Sequence, residues 1–344
     1  MAIDEVPQTG QQMRYGIAAQ SAFGTAVLDS AAFTELDCEH VEINRDVKTV
    51  EVPGAHGTRN KRMSDVFTHG KACMPSFSLS AIVKKEELAL WLYLFFQNVT
   101  EGATTPYDKT YVHLAAQPDF QADAGMWATF VAYDPAASKS FKVIDCIMSK
   151  LAFTLTKGEM VKMAADFVGR GLPSVLANPS GTWTRNAVSA TNLFYWADLD
   201  RMTMNFGSGD KSFHCEEAGF ELSQDVIMVG QDAANPDGFQ TYALTNRQSM
   251  ARVKVIKDSD SHSMLAAHAA NTASLNLNVG WGNATPGTVD GDFDFECNGK
   301  ITEQPTIDKS DPMMVDCPMT LLESDNGATA PVTVVMADAV EKAW

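Results

Sequence analysis

The sequence is short of positive charge and has no long apolar run. Its 344 residues carry 26 Lys+Arg against 43 Asp+Glu, a formal charge of −17. Because phosphate contacts need clustered basic side chains, this balance argues against tight binding to nucleic acid or to anionic membranes. The longest apolar run, Leu88 to Phe96, is about half the length that spans a bilayer. With no signal-like start, we expect a soluble protein made in a cytoplasm.

Paired cysteines and the motifs of common enzymes are also missing. The six cysteines are dispersed without a C-x-x-C pair, a pattern that favours buried thiols over a disulfide framework. There is no phosphate-binding loop, no G-x-S-x-G elbow, no H-E-x-x-H and no zinc-ligand spacing. We therefore predict no catalytic residue, no metal and no cofactor.

One acidic segment, residues 290–296, resembles the opening of a calcium loop. Phe295 stands where that loop needs glycine, and Ile301 stands where it needs glutamate. The alternation favours a strand instead, with acids on one face and Phe293 and Phe295 on the other.

Alternating apolar and polar residues predict a mainly β fold with few helices. The clearest strands are 41–47, 77–81, 150–156, 251–257, 274–279 and 290–296. Long polar stretches separate them. Helices are expected at Lys84–Phe96, where an apolar face follows a charged first turn, and at Ser261–Ala270.

The order of these features occurs twice along the chain. Residues 41–47 align with 220–226 as apolar-Glu-apolar-polar-polar-Asp-Val, and residues 74–79 align with 250–255. The two helices follow in the same order, and Asp145-Cys146 then matches Glu296-Cys297. This recurrence predicts two duplicated β units, residues 1–175 and 200–344, joined by a linker at 176–199.

The segment from Arg14 to Ala26 resembles the opening of the tail tube proteins of long-tailed bacteriophages. Gly16, Ile17 and the run Phe23-Gly24-Thr25-Ala26 carry the match, while Gln20 stands where that family often has glutamate. The motif is short. The subsequent order of strand, long loop, strand and helix resembles the same family.

The resemblance implies two tandem tail-tube-like β-sandwich units, each with a flanking helix and a long loop. It also implies a structural virion protein whose rings stack into a hollow tail tube, assembled in the host cytoplasm. Its partners would be further copies of itself, the tape measure and other tail proteins. Double-stranded DNA would pass through without specific binding. Two units in one chain favour a trimeric ring with approximate sixfold geometry over a hexamer.

Period-two alternation identifies two sets of side chains as candidates for the channel wall, with outer solvent as the equal alternative. These candidates are Glu42, Asn44, Asp46, Glu221, Ser223 and Asp225. The loops 48–71 and 227–247 are candidates for ring-to-ring contact because they are long and polar. Their charged candidates are Arg59, Lys61, Arg62, Asp232 and Asp237.

Two other classes of function remain open. One is a different β-rich virion protein, such as a tail terminator, a decoration protein or a receptor-binding module. The other is a metal-dependent hydrolase that uses Asp258, Asp260 and His262. An acidic turn that opens the second helix explains those three residues better.

Overall fold

The computed structural model describes residues 13–28, 30–46, 48–51, 66–69, 73–113, 127–135, 138–176, 181–189, 191–207, 209–230, 241–272, 275–282, 289–324 and 329–338. The chain is mainly β, as the alternation predicts. Its first elements are β1 (Arg14–Ala19), β2 (Phe33–Leu36), β3 (Cys38–Asn44), β4 (Lys48–Glu51), β5 (Val66–His69), β6 (Ser76–Ile82), α1 (Lys85–Phe96), β7 (Thr100–Glu101), β8 (Tyr107–Val112), β9 (Ala128–Asp134), β10 (Lys139–Thr156), β11 (Lys162–Leu176) and β12 (Trp183–Arg185). The later elements are β13 (Leu199–Asn205), β14 (Asp210–Ser212), β15 (Cys215–Val229), β16 (Thr241–Ile256), α2 (His262–Ala269), β17 (Leu275–Trp281), β18 (Phe293–Lys300), β19 (Thr306–Asp308), β20 (Met314–Leu321) and β21 (Val332–Asp338).

The strands that position the candidate site form one antiparallel sheet, which we call the main sheet. Its order is β3-β6-β11-β10-β15-β16-β20-β19. The pairing of β10 with β15 joins strands from the two halves of the chain, with Phe153 opposite Phe220. The main sheet is therefore continuous across the predicted linker.

Two further groups of strands pack around the main sheet. The first, which we call the cover sheet, has the order β14-β13-β17-β18-β21-β8-β7. The second runs β12-β2-β1-β9 and continues onto the first part of β10. All these strands belong to one hydrogen-bonded network, while β4 and β5 form a separate pair. The pairings branch, and among the described strands no series of them returns to its start.

Aromatic side chains fill the space between the main sheet and its neighbours. Phe220 of β15 stacks on Phe295 of the cover sheet with ring centroids 4.3 Å apart. In the first half, Phe77 lies between Phe130 and Phe167, at 3.9 and 4.6 Å. Each of these five rings is at most 3% exposed, so both halves bury an aromatic core under the same sheet.

Both predicted helices are confirmed, and they differ in burial. Helix α1 buries most of its length, well beyond the single apolar face that the sequence predicts. Trp91 packs near Phe167 of β11, and the Tyr111 hydroxyl of β8 donates to the Ala89 carbonyl oxygen at 3.3 Å. In α2 the buried residues are Met264 and Ala267.

One path of antiparallel pairings occurs in both halves of the chain. The first half follows β1-β9-β10-β11-β6-β3. The second half follows β13-β17-β18-β20-β16-β15. In each half the helix lies in the chain between the fifth strand of the path and the second. The strand matches made in the sequence fall at the same places on the two paths.

The registers of the matched hairpins differ from the sequence offsets. Val41 pairs with Leu79 across β3 and β6. Val255, aligned with Leu79 in the sequence, pairs with Cys215 instead of Phe220. The element order therefore recurs without the residue-level register that the sequence match assumes.

The segment predicted as a linker packs against both halves: Phe194 contacts Trp281 and Phe293 of the second half, and the residues before it contact the first. Trp183–Arg185 pairs in parallel with β2. The buried Lys84 ammonium reaches the Asn186 carbonyl oxygen at 2.9 Å and the carboxylates of Asp37 and Glu87 at 2.6 and 3.1 Å. The division into 1–175, 176–199 and 200–344 stays a prediction.

The acidic segment 290–296 does contain a strand, but its acids do not all face solvent. Phe293 and Phe295 are buried as expected. Asp294 is buried as well, and its carboxylate accepts a 3.2 Å hydrogen bond from Nε of Arg201. Burial raises the pKa of Asp294 to about 7, against the opposing effect of Arg201. Glu296 alone follows the predicted exposed pattern within β18.

All six cysteines are free, and five of them are buried, as expected for structural thiols. Burial raises the pKa of the partly covered Cys38 thiol to about 12. Among the described residues, neither helix is long and apolar enough to cross a membrane.

Candidate assembly face and its open edges

One side of the main sheet faces the apolar core, and the other side, here called the open face, carries small and polar residues. Cross-strand partners have side chains on the same side of a sheet, so the register identifies this face. One row across the first five strands consists of Glu42, Ser78, Asp166, Lys150 and Ser223. The open face is therefore a single polar surface that crosses both halves of the chain.

Most of the predicted wall residues lie on this open face. Glu42 and Asn44 are exposed on β3, while Val41 and Ile43 turn toward the core. On β15, Glu221 is exposed and Ser223 is partly exposed, between the buried residues on either side. Two trios predicted separately from the sequence thus contribute to one surface, on β3 and β15 with three strands between them.

The two aspartates that end those trios lie where regular pairing of the hairpins ends or shifts. Asp46 lies beyond the end of β3 with a positive φ of 46°, and its carboxylate accepts the Met74 backbone N–H at 2.9 Å. Period-two alternation therefore does not extend to Asp46. Asp225 follows a register shift in β15, and its carboxylate accepts the Asn246 amide at 2.7 Å. Each carboxylate thus accepts a hydrogen bond from a residue across its hairpin, at a point where regular pairing is interrupted.

The basic side chains of the open face all contact carboxylates. The pairs are Lys150–Glu221 at 2.9 Å, Lys254–Glu217 at 3.7 Å, Lys162–Glu159 at 3.8 Å and Arg252–Asp316, whose Nε lies 2.8 Å from Oδ1. Basic side chains that are already paired with carboxylates attract phosphate groups only weakly. The arrangement gives a surface of balanced charge without a basic cluster.

A depression of about 470 Å³ lies on the open face beside β19. Its floor comes from β10, β15, β16 and β20, and the segment from Glu303 to Thr306 lines one side. Met250, 45% exposed, is its apolar feature, and Arg252 and Asp316 its paired charges. The depression is therefore a mixed apolar and charged surface beside the outermost strand of the main sheet.

The two outermost strands of the main sheet each have one paired edge. Among the described residues, β3 pairs with β6 alone and β19 with β20 alone. Unpaired strand edges present rows of N–H and C=O groups that can accept another strand. The main sheet thus offers one open edge at each end.

The N-terminal motif that resembles the phage family has a clear structural role here. Gln20 donates from Nε2 to the Asp145 carboxylate at 2.7 Å, and its Oε1 accepts the Asp145 backbone N–H at 2.8 Å. A glutamate could accept but not donate, so the amide suits this neighbour. Gly24, with φ of +79°, also donates to Asp145 at 2.7 Å.

Arg170 completes this anchor beneath the motif. Its Nε lies 2.9 Å from the Asp145 carboxylate, and its guanidinium lies 4.5 Å from the centre of the Phe23 ring. Asp145 is fully buried and Arg170 is 5% exposed. The motif therefore fastens the N-terminal segment onto β10 and β11. Sequence reasoning missed Arg170, because nothing in the motif indicates which distant residue contacts it.

The acidic cluster considered for a metal forms the turn that leads into α2. The Asp258 carboxylate accepts the backbone N–H groups of Asp260 and Ser261 at 2.9 and 2.8 Å. Asp260 pairs with Lys211 at 2.9 Å. Within the described ranges, no group of three His, Cys, Asp or Glu side chains has the geometry of a metal site.

The charged loop candidates Arg59, Lys61, Arg62, Asp232 and Asp237 lie outside the described residues. The hairpins that lead to them are described: β4 pairs with β5, and the outer parts of β15 and β16 pair with each other. Sequence reasoning also missed β19, a three-residue strand that follows Pro305. Its signal is too short for period-two analysis.

No family model matches the chain, and no curated protein is similar to it in sequence.

Proposed function

We propose that this chain is a structural subunit of a bacteriophage tail tube, which forms rings that stack into a hollow tube for DNA delivery. The observation that carries the proposal is the main sheet. It is already built by joining strands of the two halves edge to edge, and no strand among the described residues pairs with either of its outer edges. Such a sheet can be extended by further copies until it closes.

The recurring strand path supports two tube-like units in each chain. Each half contributes a run of main-sheet strands, β3-β6-β11-β10 in the first and β15-β16-β20-β19 in the second. Three chains would then supply six such runs. We therefore favour a trimeric ring of approximate sixfold geometry over a hexamer.

The open face has the character of a channel wall. Its basic side chains are paired with carboxylates, and the chain as a whole carries −17. A wall whose cations are already paired, on a chain of net negative charge, leaves no basic site where the phosphates of DNA would bind and transit would stall. We assign Glu42, Asn44, Glu221 and Ser223 to this wall.

The two hairpin arms are proposed as contacts between stacked rings. The arm that continues β3 and β6 leads to the loop with Arg59, Lys61 and Arg62, and the arm of β15 and β16 leads to Asp232 and Asp237. Opposite charges on the two loops suit contact between neighbouring subunits. Tape measure and other tail proteins are the remaining proposed partners, within a virion assembled in the host cytoplasm.

Negative-stain electron microscopy of the purified chain tests the proposal, together with sedimentation over a range of salt and protein concentrations. Hollow rings or tubes are expected, and rotational averaging of end-on views should give threefold symmetry with six similar lobes. Sixfold symmetry of whole chains would replace the trimer with a hexamer. Small compact particles under every condition would overturn the tube function and favour a binding module.

A further inference from the structure

We infer that β19 of one chain pairs antiparallel with β3 of the next, so that the joint between chains repeats the joint between the two halves of one chain. The inference rests on the proposed ring-forming function and specifies its contact. The partner is a second copy of this chain, and the paired elements are the two open edges of the main sheet.

The internal joint supplies the pattern. Residues 150–156 of β10 run antiparallel to residues 223–217 of β15. Phe153 faces Phe220 and Leu151 faces Leu222 on the core side, where all four side chains are at most 3% exposed. This joint therefore continues the backbone ladder and seals the apolar layer beneath it.

Strand β19 occupies the position that the end of β10 occupies in the first half. Each strand turns back into its neighbour, β10 into β11 and β19 into β20. Each neighbour then pairs with the strand before the helix, β11 with β6 and β20 with β16. By position on the path, the outer edge of β19 corresponds to the edge of β10 that holds β15.

A core-facing side chain on β19 is left half uncovered. Ile307 lies opposite Val315, which is fully buried, so Ile307 belongs to the core side of the sheet. Even so, Ile307 is 40% exposed, because no described strand covers its outer flank. A strand added at this edge would cover it, as β15 covers Phe153.

Strand β3 is the counterpart of β15, and its core-facing side chains are also incompletely buried. Val41 and Ile43 lie opposite Leu79 and Phe77 on the core side. Their partners are buried, but Val41 and Ile43 are only partly buried. Placing β19 beside β3 brings Ile307 against these two side chains and joins the apolar layers of two chains.

The charges at the ends of the two joints also agree. In the internal joint, Lys157 in the turn after β10 pairs with Glu216 near the start of β15 at 2.6 Å. At the proposed joint between chains, Lys309 lies in the turn after β19 of one copy. Glu39 lies near the start of β3 of the other copy. Both are exposed, and neither has an ion pair among the described residues. Antiparallel pairing brings Lys309 to the level of Glu39.

The geometry also limits the kind of assembly. The two edges lie at opposite ends of one sheet, so each copy pairs through β3 with one neighbour and through β19 with another. Such a head-to-tail contact rotates each copy relative to the one before it. Copies form a closed ring when a whole number of these rotations completes a full turn in one plane, and an open helical filament otherwise. The curvature of the main sheet decides between these outcomes.

Two sets of variants test the inference by sedimentation and end-on electron microscopy. Ile307→Lys places an ammonium in the joint and should abolish rings. The matched control is Val289→Lys, at a residue 50% exposed before β18 and away from both edges, which should assemble as wild type. Lys309→Glu and Glu39→Lys should each raise the concentration needed for half assembly about fivefold at low salt, and the double exchange should restore it.

Far-UV circular dichroism and urea midpoints check that the variants fold. Wild-type rings that persist in Ile307→Lys, or charge reversals without rescue, would overturn the edge pairing and leave the tube function standing. A wild-type chain that forms only small compact particles under every condition, with neither rings nor filaments, would overturn both. Rescue by the double exchange excludes misfolding as the cause of the single effects.

Discussion

The two halves of the chain build the same six-strand path, but they bend its long strands in different ways. In the first half, β10 runs unbroken from Lys139 to Thr156 and passes from one sheet into another through several register shifts. In the second half the same course is divided between β18 and β19, and Pro305 lies in the gap. Proline lacks the backbone N–H that a continuous strand needs there.

An unbroken strand must be held at its bend, and the first half has the device that holds it. Asp145 adopts a φ of +51° within β10, and its carboxylate binds Gln20, Gly24 and Arg170. Gly169 lies alongside, where an added Cβ would come within 2.2 Å of the Val143 side chain. The second half has Glu296 near the corresponding place, and that side chain is exposed. The first half therefore holds its bent strand with buried contacts, whereas the second half divides the strand in two.

The difference in strand continuity also leaves the two ends of the main sheet unequal. The unbroken β10 offers a long edge that β15 fills, whereas β19 offers only three residues. A short edge is a weaker template for another strand. Under the proposed pairing of β19 with β3, the joint between chains would therefore be shorter than the joint within one chain.

The largest expected effect comes from removing the central ring of either half. Phe220→Ala loses the stack on Phe295, and Phe77→Ala loses the stacks on Phe130 and Phe167. Each substitution should lower the free energy of unfolding by about 3–5 kcal/mol, because both rings are fully packed. Urea denaturation measures both. Losses that differ by more than twofold would show that the halves do not contribute equal cores.

The second-largest loss of stability is expected when the contacts of Asp145 with Gln20, Gly24 and Arg170, here called the lock, are broken. Asp145→Asn keeps the shape and tolerates the positive φ, but it leaves Arg170 buried without its carboxylate. The free energy of unfolding should fall by about 3 kcal/mol, as expected when a buried charge loses its carboxylate partner.

Limited proteolysis of the N-terminal segment gives a second measure of the Asp145→Asn variant, because Gln20 and Gly24 lose part of their anchor. Cleavage there should be faster than in wild type. A variant as stable and as protected as wild type would mean that the motif is held by other contacts.

Much of this architecture could be predicted from local patterns. Alternation predicts the faces of β3 and β15, since Glu42 and Glu221 are exposed while Leu222 is buried, and a charged turn before an apolar run predicts α1. Order along the chain predicts the recurrence of elements. These signals succeed because each depends on residues within a few positions of one another.

The features that could not be predicted depend on distant partners. The joint of β10 with β15 brings together residues about 70 positions apart, and the lock joins Gln20 to Asp145 across 125 positions. The burial of Asp294 likewise follows from Arg201 on another strand. A single sequence carries no periodic trace of such pairings, so the open edges emerge only from the assembled sheet.

A smaller, pH-dependent effect should arise where the first half meets β16. His113 is buried against Phe95 and Phe96, and its Nδ1 lies 3.2 Å from the Ser249 hydroxyl. Burial, with a smaller contribution from Arg247, lowers its pKa to about 4 from an ordinary 6.5. The unfolded chain therefore takes up a proton first as pH falls, and stability declines from about pH 6.5 toward pH 4.

His113→Asn tests this assignment, because the amide can still meet the Ser249 hydroxyl but does not titrate. The difference between urea unfolding free energies at pH 7 and pH 5 should shrink by on the order of 1–2 kcal/mol relative to wild type. An unchanged difference would assign the acid sensitivity to other groups.

The smallest effect is expected on the open face, where the comparison with the locked bend is most direct. Asp316→Asn removes the partner of Arg252, a guanidinium whose side chain is 72% exposed, so water replaces the lost contact. The free energy of unfolding should fall by less than about 1 kcal/mol, and added salt should erase the difference. The same chemical change costs more at Asp145 because burial there excludes water. A salt-independent loss as large as that of Asp145→Asn would mean that the open face is covered, and it would remove the basis for placing it along a channel.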